Sequence, residues 1–364
     1  MARTPRREVF DESRLGMYHC VNRCVRRAFL CGQDPLTGNN FDHRKDWFRN
    51  RLEFLAGQFA LEVAGYSVMS NHIHVVVRNR PDVGAEWTDE DVARRWWNVF
   101  PARKDELGQP AQPQRHELDM LMADRHRMAE LRRRLADVSW FMRCLCEDVA
   151  RKANREDGCK GRFFEGRFKC QALLDESAIL ACSVYVDLNP VRAGVAATPE
   201  TSQYTSVYDR IKARQGGAKD QRPSSPSAKR GRKRRETARP SEAADGWLCP
   251  VKLNEKRASP TRRRGPHRRA TDMGFLPIRL DDYLQLVDWT GRQVRREKQG
   301  RIPAELAPIL DRLQVNSSTW LDSVRNFGRW FRRAAGRRTS LAAEAARTNR
   351  RWLHGTRASE TAFL

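Results

Sequence analysis

SVMSNHIHVVVRN, residues Ser67 to Asn79, sets two histidines one residue apart inside a run of β-branched side chains. Val and Ile in this alternation predict a strand, and side chains two apart on a strand project to the same face. His72 and His74 therefore share a face, while Ile73, Val75 and Val77 share the other and can enter a core. At a rise of about 3.3 Å per residue the two histidine Cα atoms lie roughly 6–7 Å apart, close enough for both imidazoles to hold one metal ion. A solvated polar strand face explains an isolated His-x-His equally well, so other segments must decide.

The surrounding composition narrows the partners. The chain has 364 residues, enough for two domains, and a formal net charge of +24. A balance this basic points to a polyanion, with nucleic acid ahead of an anionic membrane. No run approaches 18 consecutive apolar residues, so no spanning helix is expected. The opening MARTPRREVFDESRLG has basic residues without an apolar stretch behind them, unlike a secretory signal. The nine cysteines include no CxxC pair, which suits buried free thiols in a reducing cytoplasm. If GMYHCVNRC is a strand, Cys20 and Cys24 share a face and His19 points away from them.

Working outward from the histidine strand, the segment to about residue 212 reads as a mixed α/β domain. HRKDWFRNRLEFLAGQFA has helical apolar spacing, and TDEDVARRWWNVF opens with Thr88 and Asp91 in capping-box spacing. ADVSWFMRCLCEDVARKANRE reads as a long helix. GRFFEGRFKCQ alternates, with Phe164, Phe168 and Cys170 on one face and Glu165, Arg167, Lys169 and Gln171 on the other, and predicts an apolar-in, charged-out strand. DESAILACSVYVDLNPVRAG predicts a helix capped by Asp175 and ended near Asn189, because the residue before Pro190 is pushed out of the helical region. Tyr185 and Asn189 are four apart and neighbour each other on one stripe.

Beyond residue 212 the composition changes. Residues 213–273 are rich in Gly, Pro, Ser, Lys and Arg and predict a disordered basic linker, interrupted by the apolar island GWLCPVKL. Residues 274–364 recover helical character. Within them TWLDSVRNFGRWFRR has Thr319 and Asp322 in capping-box spacing, Trp320, Val324, Phe327 and Phe331 on one stripe, and arginines over the rest.

A helix covering the histidine face would let Asn189 add an oxygen donor to a metal held by His72 and His74, with Tyr185 one turn back. A tyrosine hydroxyl has a pKa of about 10 and is a weak nucleophile at neutral pH. Phosphodiester cleavage by it therefore needs a metal to polarise the phosphoryl oxygen. Exchanging one phosphodiester for another needs no nucleotide hydrolysis, and the chain carries no GxxxxGK[ST] loop.

SVMSNHIHVVV, GRFFEGRFKCQALLDE and YVDLNPVRAG, with YHCVNRC as a first strand, resemble the signature blocks of the REP-associated tyrosine transposases and their single-tyrosine HUH relatives. The resemblance covers roughly residues 14–212, leaving 1–13 as a tail. It implies an α+β fold, a ferredoxin-like antiparallel sheet with helices, followed by the disordered basic linker and a small all-α C-terminal region. It implies Tyr185 as nucleophile, and His72, His74 and Asn189 as ligands of Mg²⁺ or Mn²⁺. It also implies single-stranded or hairpin DNA, such as a REP hairpin, as substrate, with Arg23, Glu165, Arg167 and Lys169 near it. The expected activity is nicking and rejoining through a 5′-phosphotyrosine. Alternatives are a catalytically inactive DNA-binding regulator of the same fold and a replication-initiator or relaxase-type nickase. A zinc hydrolase lacks its HExxH. The expected setting is a bacterial cytoplasm near the nucleoid, with no membrane partner and with monomer and homodimer both open.

Overall fold

The computed structural model of the chain describes residues 9–11, 13–25, 31–32, 38–106, 108, 110–220, 243–259, 269–295, 303 and 305–364. The chain starts on strand β1 (Gly16–Arg23), crosses through helix α1 (His43–Gln58), and returns as the hairpin β2 (Leu61–Val68) and β3 (His72–Asn79). An excursion follows through α2 (Pro81–Glu86), α3 (Asp89–Val99), α4 (Arg115–Met122) and α5 (Arg125–Leu135). It ends in the long α6 (Val138–Glu156), which leads to β4 (Lys169–Leu173). Helix α7 (Glu176–Asp187), the single turn α8 (Asn189–Arg192) and α9 (Ser206–Asp220) come next. The C-terminal part adds α10 (Leu280–Arg295), α11 (Ala307–Arg312), α12 (Trp320–Trp330), β5 (Ala334–Ala335), α13 (Arg338–Arg347) and α14 (Thr356–Ala362).

The five strands form one sheet in the order β2-β3-β1-β4-β5, antiparallel except for the short β5, which runs parallel to β4. Period-2 alternation divides the sheet into two faces. Tyr18 and Cys20 of β1, Val63, Tyr66 and Val68 of β2, and Ile73, Val75 and Val77 of β3 bury one face. Against it lie Phe48, Leu52 and Leu55 of α1 and Phe141, Leu145 and Val149 of α6. On the opposite face Met17, Val76 and Leu173 join a second core with α7.

Helix α7 is buried nearly all round: only Ile179 and Tyr185 among Ser177–Asp187 are partly exposed. A helix buried on nearly every side needs cover on both sides. The sheet supplies one side. Trp320, Val324 and Phe327 of α12, Leu286 and Val287 of α10, and Cys249 and Val251 enter the same core. Asp187, at the end of α7, is fully enclosed. It accepts hydrogen bonds from Ser206 Oγ, from the Val207 amide (3.0 Å) and from Tyr283 Oη (2.6 Å), and burial raises its pKa.

Several expected local features are present. Thr88 and Asp91 form the capping box of α3, and Asp175 accepts from the Ala178 amide at 3.0 Å to cap α7. Cys20 and Cys24 are buried as thiols. Two expectations fail. The strand predicted across GRFFEGRFKCQ is regular only from Lys169. Gly166 takes φ +139°, and residues 161–168 turn, meeting Cys24 just past β1 through an isolated bridge to Phe164 and β1 itself through the Glu165 amide, which donates to Arg23 O at 2.9 Å. Glu165 and Arg167 are therefore not strand residues. Thr319 does not cap α12 either, because its hydroxyl donates to Thr361 O at 2.5 Å.

The C-terminal segment 274–364 contributes β5 to the sheet and shares its core with α7. The apolar island also folds in, with Trp247, Leu248 and Cys249 fully buried. Residues 269–273 are tied to the sheet through Glu62, which is 0% exposed. It pairs with Arg78 and with Arg80 (3.0 Å) and accepts from Thr271 Oγ1. The basic runs at 221–242 and 260–268, where disorder is expected, lie outside the described residues.

Candidate active site

β3 presents His72 and His74 on the face under α7, as their spacing requires. Tyr185 comes from α7. The chain breaks at Leu188 (φ −90°, ψ 5°), and Asn189 opens α8, one turn beyond Tyr185. All four expected residues meet. The Tyr185 ring stands edge-on to His74, with centroids 5.7 Å apart, and the His72 and His74 rings are 4.9 Å apart. Asn189 Nδ2 lies 3.3 Å from His72 Nε2.

A third histidine completes the cluster, and sequence reasoning missed it. His74 faces Val21 across the β1–β3 ladder, and His19 lies two residues before Val21 on the same face, a diagonal neighbour. His19 Nε2 sits 2.8 Å from His74 Nδ1, the rings stack at 5.0 Å, and His19 is 6.0 Å from the Tyr185 ring. The signal was present in GMYHCVNRC. If Cys20 buries one face, His19 must lie on the other, but only the strand order puts that face beside His74.

The amide oxygens beside the rings favour one set of tautomers. An amide oxygen can only accept, so Gln171 Oε1, 3.4 Å from His19 Nδ1, takes that proton. His19 Nε2 then holds a lone pair and accepts from His74 Nδ1–H. By the same logic Asn71 Oδ1, 2.5 Å from His72 Nδ1, leaves the lone pair of that ring on Nε2. In this set Nε2 of His72 carries the lone pair that faces Asn189 Nδ2 at 3.3 Å, and Nε2 of His74 carries one that meets no hydrogen-bonding group.

Burial keeps the rings neutral. Desolvation, with a smaller contribution from Arg23, lowers the His72 pKa to about 4. Desolvation brings His19 to about 4, and it drives His74 well below its usual value with help from His19 and His72. Below pH 6.5 the unfolded chain binds protons that the folded site refuses, so stability falls with pH. The loss for His19 and His72 accumulates from about pH 6.5 down to about 4 and then levels off. We expect the unfolding temperature of the metal-free chain to drop across that window. His19→Asn, which removes one titrating ring, should make the drop shallower in thermal melts at stepped pH; an unchanged profile would contradict the assignment.

Among the described residues no group of three or more His, Cys, Asp or Glu side chains could hold a metal ion. A site here would take its third protein donor from the Asn189 amide. The fit rests on a buried atom without a partner: His74 Nε2, on a side chain only 4% exposed, meets no hydrogen-bonding group, nor does Ser67 Oγ, its register neighbour on β2. Leaving a buried polar atom unmatched costs about 1–3 kcal/mol, which a bound cation at His74 Nε2 would relieve. The donor set fits.

The remaining expected residues spread along one end of the sheet. Arg23 is exposed and opposite His72 in register; Lys169 is exposed and opposite Val21. Glu165 and Arg167 are exposed on the 161–168 turn, outside any strand but beside the end of β1. The Tyr185 ring lies under the Arg192 guanidinium, 4.5 Å from its centroid, and against Phe327 at 5.7 Å. The hydroxyl faces α12 at Gly328, where an added Cβ would stand 2.8 Å from it. Only glycine leaves that room.

No protein-family model and no curated protein matches the chain. One solved structure similar to it is described as the REP-associated tyrosine transposase bound to a REP hairpin. The two are 13% identical, the match spans 64% of this chain and 96% of that one, and the TM-score is 0.33. A score that low carries neither fold nor activity across. Among the described residues no helix is long and apolar enough to cross a membrane.

Proposed function

We propose that the chain is a metal-dependent DNA strand transferase of the transposase type, acting on single-stranded or hairpin DNA. One observation carries the reading: the Tyr185 ring stands against His74 and His19 on the face where His72 and His74 offer Nε2 lone pairs beside Asn189. The net charge of +24 supports a polyanionic substrate. The order β2-β3-β1-β4, with α1 and α6 on one face and the tyrosine helix on the other, supports a ferredoxin-like HUH fold for residues 14–212.

The Tyr185 oxygen attacks phosphorus, a tyrosyl O–P bond forms, and the P–O3′ bond breaks. The phenolic proton passes to solvent, and the departing 3′ oxygen gains one to become a hydroxyl. The 5′-phosphate stays on the protein until another 3′-hydroxyl reverses the step. His72, His74 and Asn189 would hold a divalent cation, Mg²⁺ or Mn²⁺, whose contribution when bound is Lewis-acid polarisation of the phosphoryl oxygen. Gln171 and His19 hold His74 in the tautomer that leaves Nε2 free, and Asn71 directs the lone pair of His72 to Nε2, beside Asn189. Arg192, over the Tyr185 ring, draws a backbone phosphate toward the nucleophile. Arg23 and Lys169 extend positive charge along the sheet end.

The test incubates DNA hairpins labelled at the 3′ end with the chain and Mn²⁺, followed by denaturation. A covalent adduct retaining the label is expected. Cleavage with no adduct would mean that water is the nucleophile. Cleavage with Zn²⁺ alone would overturn the metal assignment. DNA binding without cleavage would favour the second reading, a DNA-binding regulator of the same fold, which the packing of Phe327 and Gly328 over Tyr185 favours.

The tautomer relay makes its own prediction. Outer-sphere partners of histidine ligands are worth about 10–100-fold in metal affinity. His19→Ala should weaken Mn²⁺ binding by about that factor, read from free Mn²⁺ in an electron paramagnetic resonance titration, and His19→Gln, which keeps an acceptor, should recover part of it. Equal affinity in all three chains would remove His19 from this role.

A further inference from the structure

We infer that the groove between α6, the 161–168 turn and the approach to β5 is a track for single-stranded DNA, with an aromatic-floored pocket for unstacked bases. This deepens the function proposed above and rests on it. Two cavities, of about 610 and 280 Å³, adjoin along this surface, with Ser139, Arg167 and Phe168 lining both. Their walls carry Arg143, Arg162, Arg167, Lys169, Arg332 and Arg333 against a single carboxylate, Glu147, which already pairs with Arg143 at 2.7 Å. Trp140, Phe163, Phe164 and Phe168 are the aromatic part of the lining of the larger cavity.

Positive charge that follows a phosphate backbone, over aromatic surface that accepts base faces, is the chemistry of single-strand binding. A duplex keeps its bases stacked inward and would leave the floor unused. The groove lies on the α6 side of the sheet and meets the face of the candidate nucleophile at the sheet end, at Lys169. Lys169 faces Val21 and Val21 faces His74, so the three side chains share one sheet face across three neighbouring strands. At about 4.8 Å per strand, the Lys169 backbone lies roughly 10 Å from that of His74. A strand whose scissile phosphate sits at Tyr185 would pass Lys169 and enter the groove. Arg332 and Arg333 belong to the C-terminal part, which gives that part a share in substrate binding.

The test reads binding apart from cleavage, in a Tyr185→Phe chain, by fluorescence anisotropy of a labelled single-stranded oligonucleotide across a salt series. Each lost phosphate contact lowers the salt slope by about 0.7. Arg162→Ala with Arg167→Ala should therefore reduce the slope by about 1.4, while Arg94→Ala with Arg115→Ala, which removes equal charge from α3 and α4, should not change it. Ser139→Trp fills the junction of the two cavities without removing a contact and should weaken binding at least about tenfold. Equal slopes in the two arginine pairs would reduce the interaction to diffuse attraction and overturn the groove. Tighter binding of single-stranded RNA of the same sequence would overturn the choice of DNA. Weakened binding by the groove variants in a chain that forms no adduct would leave the groove standing and the strand-transfer reading fallen.

Discussion

Tyr185→Phe is expected to abolish the covalent DNA adduct, with cleavage falling by at least about 10³-fold, the scale on which removing a covalent nucleophile acts. The substitution is clean. The ring keeps its contacts with His19, His74, Phe327 and Arg192, and only the hydroxyl facing Gly328 is lost. Folding and DNA affinity should therefore stay at the level of the unmodified chain, so the loss can be assigned to chemistry. Adduct formation persisting in the variant would move the nucleophile elsewhere and dissolve the assignment of the whole cluster.

Glu62→Gln should produce the largest loss of stability. The carboxylate is fully buried, faces Arg78 and Arg80, and accepts from Thr271 Oγ1. Removing one partner of a buried ion pair typically costs about 3–5 kcal/mol, because the remaining charge stays enclosed. Arg80 keeps Asp82 at 2.7 Å, so the lower end of that range is expected. Thermal unfolding should move down by several degrees. Glu90→Gln, which breaks the solvent-exposed pairs with Arg94 and Arg115, should leave the midpoint unmoved. An unmoved midpoint in Glu62→Gln would mean that residues 269–273 are not anchored through this carboxylate.

Local patterns were legible where local physics decides them. The helices α1, α3, α6 and α7 follow from apolar spacing and from the caps at Thr88 and Asp175. The shared face of His72 and His74 follows from strand geometry. The strand at GRFFEGRFKCQ was overread, because alternation in sequence does not require a ladder partner and Gly166 turns the chain before Lys169. Thr319 illustrates the same limit: its hydroxyl found a carbonyl on α14, which no local spacing encodes.

From the sequence alone came the chemistry-bearing pairs: two imidazoles on one strand face, a phenol and an amide four residues apart, and a charge suited to a polyanion. Those depend on separations of a few residues, which backbone periodicity converts directly into geometry. Which strands adjoin, and what lies over α7, was decided only in the tertiary structure. The β1–β3 pairing brought His19 to His74, and the largely apolar α7 had to be covered on its outer side by α10 and α12. Contacts between residues far apart in the chain are selected by the burial of whole surfaces, and no local pattern specifies them.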